Sequence, residues 1–167
     1  KNKYRIAVIE GDVETDRDAK HMEKYNIPVA LINTSGACHL ESVSIEKALS
    51  SLNLDELDFI FVENVGNLVC PAEFDIGESC KVALISVPEG DDKVLKYPLL
   101  FQEAELIILN KTDLMEVTDF DKKVFQEDLE KLNSKTKLIE VSCKKEIGLN
   151  DWMEWLVNCR GGSVTLP

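Results

Sequence analysis

Leu106-Ile107-Ile108-Leu109-Asn110-Lys111-Thr112-Asp113 joins four consecutive apolar residues to an abrupt polar end. A run apolar at every position predicts a strand buried on both faces, as in a parallel sheet covered by helices. The polar end then falls at the carboxyl edge of that strand, where ligands bind in open α/β sheets. The residue types there have a definite chemistry. A carboxylate at Asp113 accepts two adjacent hydrogen bonds, from guanine N1–H and the 2-amino group, whereas adenine has no such pair of donors. The aliphatic stem of Lys111 can lie over a flat base, and the Asn110 amide can tie neighbouring loops together.

The rest of the chain alternates in the same way. Apolar strands are expected at residues 5–9, 29–32, 59–62, 82–87, 106–109 and 138–141. Helices are expected at 16–25, 41–52, 119–133 and 149–160, the last burying Trp152, Trp155 and Leu156. The stretch from 63 to 80 reads as a long loop. This alternation predicts an α/β fold with a mostly parallel sheet and helices on both faces. No repeat or linker interrupts it, so residues 1–160 read as one domain and 161–167 as a tail.

Composition narrows the classes of function. Of 167 residues, 30% are charged, and the formal charge of −12 argues against nucleic acid or an anionic membrane as partner. No apolar run reaches the ~20 residues of a membrane span. Five cysteines without a C-x-x-C spacing argue against a disulfide framework and for a reducing, cytoplasmic setting. Cys80 and Cys159 lack any functional context and read as structural. His21 reads as a surface residue.

Further polar groups cluster at the expected strand ends. Ser142-Cys143-Lys144 follows the strand after Asn110–Asp113 and resembles the Ser-Ala-Lys loop that contacts the guanine oxygen in GTPases, with Cys143 in place of Ala. Glu63, followed by Gly66, resembles a Walker B carboxylate and the glycine of a second switch. Such a carboxylate can hold Mg²⁺ directly or through water, and such a glycine lets a backbone N–H approach a γ-phosphate. Asp12 is a second Mg²⁺ candidate. Cys38, His39 and Cys70 offer thiolate and imidazole, ligands suited to Zn²⁺ and also to Ni²⁺. Adjacent Cys38 and His39 do not readily point at one ion, which favours a metal shared across a dimer interface. Each group also has a plainer reading, as a solvated turn or an ordinary loop residue.

Together these segments resemble the nickel-incorporation GTPases of NiFe-hydrogenase maturation, the HypB family. The matching runs are 8–12, 15–19, 38–40, Glu63-Asn64-Val65-Gly66-Asn67-Leu68-Val69-Cys70-Pro71, 89–93, 96–98 and Asn110 to Asp113. The resemblance implies a P-loop NTPase-like fold of the SIMIBI type and a GTPase using GTP and Mg²⁺. It implies a nucleotide-dependent homodimer with Ni²⁺ or Zn²⁺ on Cys38, His39 and Cys70. It further implies a small zinc-containing maturation partner and the hydrogenase large subunit as nickel recipient. Thiols must deprotonate to bind metal, so affinity is expected to fall in acid. The urease nickel GTPases are the neighbouring alternative, but they carry a Cys-Pro-His motif where this chain has Cys38-His39. The sequence contains no G-x-x-x-x-G-K-[ST] phosphate loop. The chain is therefore expected to be an N-terminally truncated G-domain, a metal-binding module with GTP hydrolysis near background when taken alone.

Overall fold

A computed structural model describes residues 4–11, 20–22 and 24–160. The chain forms two compact units, residues 1–77 and 78–167. Each contains a three-stranded, wholly parallel sheet among the described residues.

In the first unit, β1 (Ile6–Gly11) lies between β2 (Val29–Ile32) and β3 (Phe59–Glu63). β1 is buried along most of its length, as an apolar central strand should be. Helix α1 (Ser42–Leu49) packs Ile45 onto Ile9 and Leu40, with Ala30, Ile32, Ile60 and Val62 closing around them. The helix is shorter than expected, and the chain turns instead through a 3-10 segment at Leu54–Glu56. Gly11 ends β1 because Leu40 packs against it. A Cβ there would lie 2.7–2.9 Å from three Leu40 side-chain carbons. Register pairs Glu10 with Glu63, so two carboxylates end neighbouring strands, Glu10 buried and Glu63 exposed.

The stretch expected to be a loop from 63 to 80 contains a one-turn helix, α2 (Cys70–Glu73). Pro71 lies in its first turn, where a proline gives up no intrahelical hydrogen bond.

In the second unit, β5 (Leu106–Asn110) lies between β4 (Val82–Ser86) and β6 (Lys137–Glu140). Leu106 to Leu109 are all buried, as the uniformly apolar run predicts. Two short helices the pattern did not show, α3 (Lys93–Lys96) and α4 (Pro98–Glu103), precede β5. Both are too short to display helical periodicity. Asp92 pairs with Lys96 across α3, and that hydrogen bond, aided by the charges of Lys96 and Lys93 against burial, holds its carboxyl below the usual range.

Helix α5 (Lys122–Leu132) begins later than expected because Asp121 caps it. Its Oδ1 accepts from the N–H groups of Lys123 and Val124 at 2.9 and 3.1 Å. Phe125 of α5 meets Phe101 of α4 edge to face at 6.2 Å, both fully buried. Helix α6 (Leu149–Arg160) buries Trp155 and Leu156, while Trp152 is half-buried and stacks on Trp155 at 5.6 Å. Gly148 before it has φ +73°, and any Cβ would collide with the Glu140 carbonyl oxygen. Burial pushes the Cys80 thiol up to about 11, with hydrogen-bonded Cys159 adding to it, which fits the structural role expected of this pair. Among the described residues no helix is long and apolar enough to cross a membrane.

Candidate functional site

At the carboxyl ends of β5 and β6 two loops are latched together. Asn110 Oδ1 accepts from Lys111 N at 2.7 Å and from Cys143 N at 3.4 Å. The first contact supports Lys111 in a left-handed conformation at φ 59°, ψ 37°. Thr112 donates to the Val141 carbonyl twice, from N at 3.1 Å and from Oγ1 at 3.0 Å. Ser142, fully buried, donates from Oγ to Asp113 Oδ1 at 2.5 Å and accepts from Lys145 N at 3.2 Å. The 142–147 turn is itself closed by Ser142 N to Ile147 O and Ile147 N to Ser142 O, at 3.0 and 3.1 Å. Asn110 thus joins the loops as its sequence position implied.

The latch also sets the charge of Asp113. The Ser142 hydroxyl holds its carboxyl below the usual carboxylate range, against burial and with its own backbone N–H, Lys144 and Lys145 adding to the effect. A depressed carboxyl stabilises the folded state above its unfolded pKa, and that contribution is lost as pH falls through the folded value. Asp113 is therefore ionised at neutral pH, the state that accepts two hydrogen bonds at once. Ser142 occupies one lone pair of Oδ1, and the exposed carboxylate keeps acceptor sites for further donors. Cys143 and Lys144 are exposed beside it.

In the first unit the loops after β2 and β3 are joined by Asn64. Its Oδ1 accepts from Leu40 N at 2.9 Å and from Val65 N at 2.8 Å, so the backbone just past His39 hangs on the Glu63–Gly66 segment. Glu63 and Gly66 are exposed, while Asp12 lies outside the described residues. Cys38 Sγ lies 3.6 Å from His39 Nδ1. Donors bound to one tetrahedral ion at ordinary Zn–S and Zn–N lengths stand about 3.5 Å apart. A side-chain interaction with the Cys38 thiol, with burial and the charges of Cys38 and Glu73, raises the Cys70 pKa.

The His39 ring stacks on Phe74, with centroids 3.8 Å apart and planes within 3°. Among the described residues no group of three or more His, Cys, Asp or Glu has its donors placed for a metal. Cys38 and His39 are the close pair, with Sγ and Nδ1 3.6 Å apart, and the Cys38 thiol also acts on the Cys70 pKa. The donor set of two thiols and an imidazole fits a borderline-soft divalent ion such as Ni²⁺ or Zn²⁺.

Asn64, Asn67 and Phe74 are contributors that sequence reasoning missed. The run Gly66-Asn67 with Pro71 following carried a turn signal, but nothing in the sequence links Phe74 to His39.

The family model described as CobW/HypB/UreG, nucleotide-binding domain, matches residues 1–140. The chain is also 41% identical over 156 residues to a probable hydrogenase maturation factor HypB from Methanocaldococcus jannaschii, a match spanning 93% of this chain and 71% of that protein. The chain belongs to the HypB family. HypB of Azotobacter vinelandii, a hydrogenase maturation factor, is 45% identical over 156 residues, 93% of this chain and 52% of its own length. The HypB-family chain thus spans about half the length of this curated relative. The solved structure of Helicobacter pylori HypB in complex with nickel superposes with a TM-score of 0.93 at 38% identity, covering 100% of this chain and 80% of that one. The P-loop NTPase-like α/β fold expected from the sequence is that of these HypB structures.

Proposed function

We propose that the protein is a GTP-dependent nickel metallochaperone of NiFe-hydrogenase maturation. The reading is supported by membership of the HypB family together with the 3.6 Å approach of Cys38 Sγ to His39 Nδ1. The Helicobacter pylori relative solved with nickel supports the choice of metal, and Zn²⁺ suits the same donors. Asn110, Lys111, Asp113, Ser142, Cys143 and Lys144 read guanine. Asp12 and Glu63 hold Mg²⁺, and the Gly66 N–H meets the γ-phosphate. GTP hydrolysis releases that contact, and the metal site relaxes with it. Asn64 gives the coupling a physical path, since one carboxamide oxygen holds both Leu40 N and Val65 N.

The protein acts in the cytoplasm as a nucleotide-dependent homodimer. Cys38, His39 and Cys70 of one chain leave a position for a donor from the second copy or for water. A small zinc-containing maturation factor exchanges nickel with it, and the hydrogenase large subunit receives the ion.

Turnover and loading of the intact protein test the proposal together. The expected result is Mg²⁺-dependent GTP hydrolysis at a measurable rate with one nickel site per chain. Hydrolysis at the background rate, or nickel binding unaffected by substitution of all three ligands, contradicts it.

A further inference from the structure

Cys70 begins the one-turn helix α2, and a helix of one turn has no internal ladder to hold it in place. Asn67 supplies what the helix lacks. Its Oδ1 accepts from Val69 N at 2.7 Å and from Cys70 N at 3.3 Å, an Asx-type turn that fixes the backbone leading into the cysteine. The same carboxamide turns its Nδ2 to Cys70 Sγ, at 3.8 Å. One side chain therefore grips Cys70 by backbone and by sulfur. Pro71 restricts the backbone on the other side of Cys70.

Sulfur is a weak acceptor as a thiol and a much better one as a thiolate, because the acceptor then carries charge. The Asn67 N–H bond thus strengthens in the ionised state, the state in which a cysteine ligates metal. Among the described residues, Asn67 supplies the side-chain N–H donor that meets that sulfur.

We propose that Asn67 is the positioning residue of the metal site, aiming the Cys70 sulfur through the Nδ2–H···Sγ hydrogen bond. The proposal rests on the reading of Cys38, His39 and Cys70 as ligands. Partners of this kind orient a ligand and tune its donor strength, and their loss costs about 10–100-fold in metal affinity.

Asn67→Ser separates the two jobs of the carboxamide. A serine hydroxyl keeps a turn-forming acceptor for Val69 N but falls short of the sulfur. The probe is Ni²⁺ alone, titrated into the full chain against a competing chelator, with the thiolate-to-nickel charge-transfer band recorded at saturation. Asn67→Ser is expected to weaken Ni²⁺ binding about tenfold and to move the band to lower energy, because a thiolate without its N–H donor holds its electrons less tightly. An unmoved band overturns the proposal whatever happens to the affinity. Disorder in α2 alone would weaken binding without changing the donor strength of a bound sulfur. Cys70→Ala distinguishes the two levels of failure. If it loses Ni²⁺ and the Asn67→Ser band is unmoved, the ligand reading stands and the positioning role falls. If Cys70→Ala binds Ni²⁺ undiminished, the ligand reading itself falls.

Discussion

Asp113→Asn in the intact protein is expected to lower affinity for GDP and GTP by about 100-fold or more, with the melting temperature little changed. A hydrogen bond to a charged acceptor contributes about 1.5–3 kcal/mol, and Asp113 is placed to accept two from one base. An asparagine offers one acceptor and one donor where guanine presents two donors. The donor N–H would then face the 2-amino group, and the mismatch adds to the loss. The same change predicts a gain for xanthine nucleotides, whose 2-oxo group meets the new N–H as an acceptor. The fold tolerates the change because Asn keeps an oxygen for the Ser142 hydroxyl, which now donates at 2.5 Å. Equilibrium titration with fluorescent GDP and XDP analogues reads both directions. Unchanged GDP affinity would remove Asp113 from base recognition and reduce the latch to a structural turn.

Cys38→Ala and Cys70→Ala are each expected to weaken Ni²⁺ binding by more than about 100-fold, since each removes a charged ligand from a three-donor set. Cys38 carries the larger effect. Its Sγ lies 3.6 Å from His39 Nδ1, and its thiol is the largest influence on the Cys70 pKa. Alanine there separates the remaining pair, whereas Cys70→Ala leaves Cys38 and His39 adjacent. Neither side chain belongs to the buried core, so both variants should melt near the parent temperature. Chelator competition measures the affinities. A Cys38→Ala protein with full nickel affinity would sink the assignment.

The fold and the latch were legible in the sequence for one reason. The run from Leu106 to Leu109 is apolar at every position because β5 is covered on both sides, and that burial leaves a direct mark on composition. The polar residues after it therefore fall at a strand end by their position in the sequence alone. The same logic located Ser142, Glu63 and the Cys38-His39 loop. It did not give strand order, because alternation of strand and helix is the same for β2-β1-β3 as for other parallel arrangements.

Local structure without periodicity was the second blind spot. α2 is four residues long, so no apolar spacing could announce it, and the stretch read as loop. α3 and α4 escaped for the same reason. Contacts distant in sequence were equally hidden. The stack of His39 on Phe74 and the bond from Leu40 N to Asn64 Oδ1 arise from packing after β2 and β3 lie beside β1. The first of these contacts sets the plane of the imidazole, and the second holds the backbone just past it.

The central claim is that guanine nucleotide controls the metal held by Cys38, His39 and Cys70. Coupling between two ligands is a single free energy, so each must change the affinity of the other by the same factor. Ni²⁺ affinity of the intact protein, measured with GDP and with a non-hydrolysable GTP analogue, is the direct test. The account predicts affinities differing by about tenfold, within the usual range of coupling energies, and the same factor for the effect of Ni²⁺ on nucleotide affinity. Equal Ni²⁺ affinity in the two nucleotide states would contradict it.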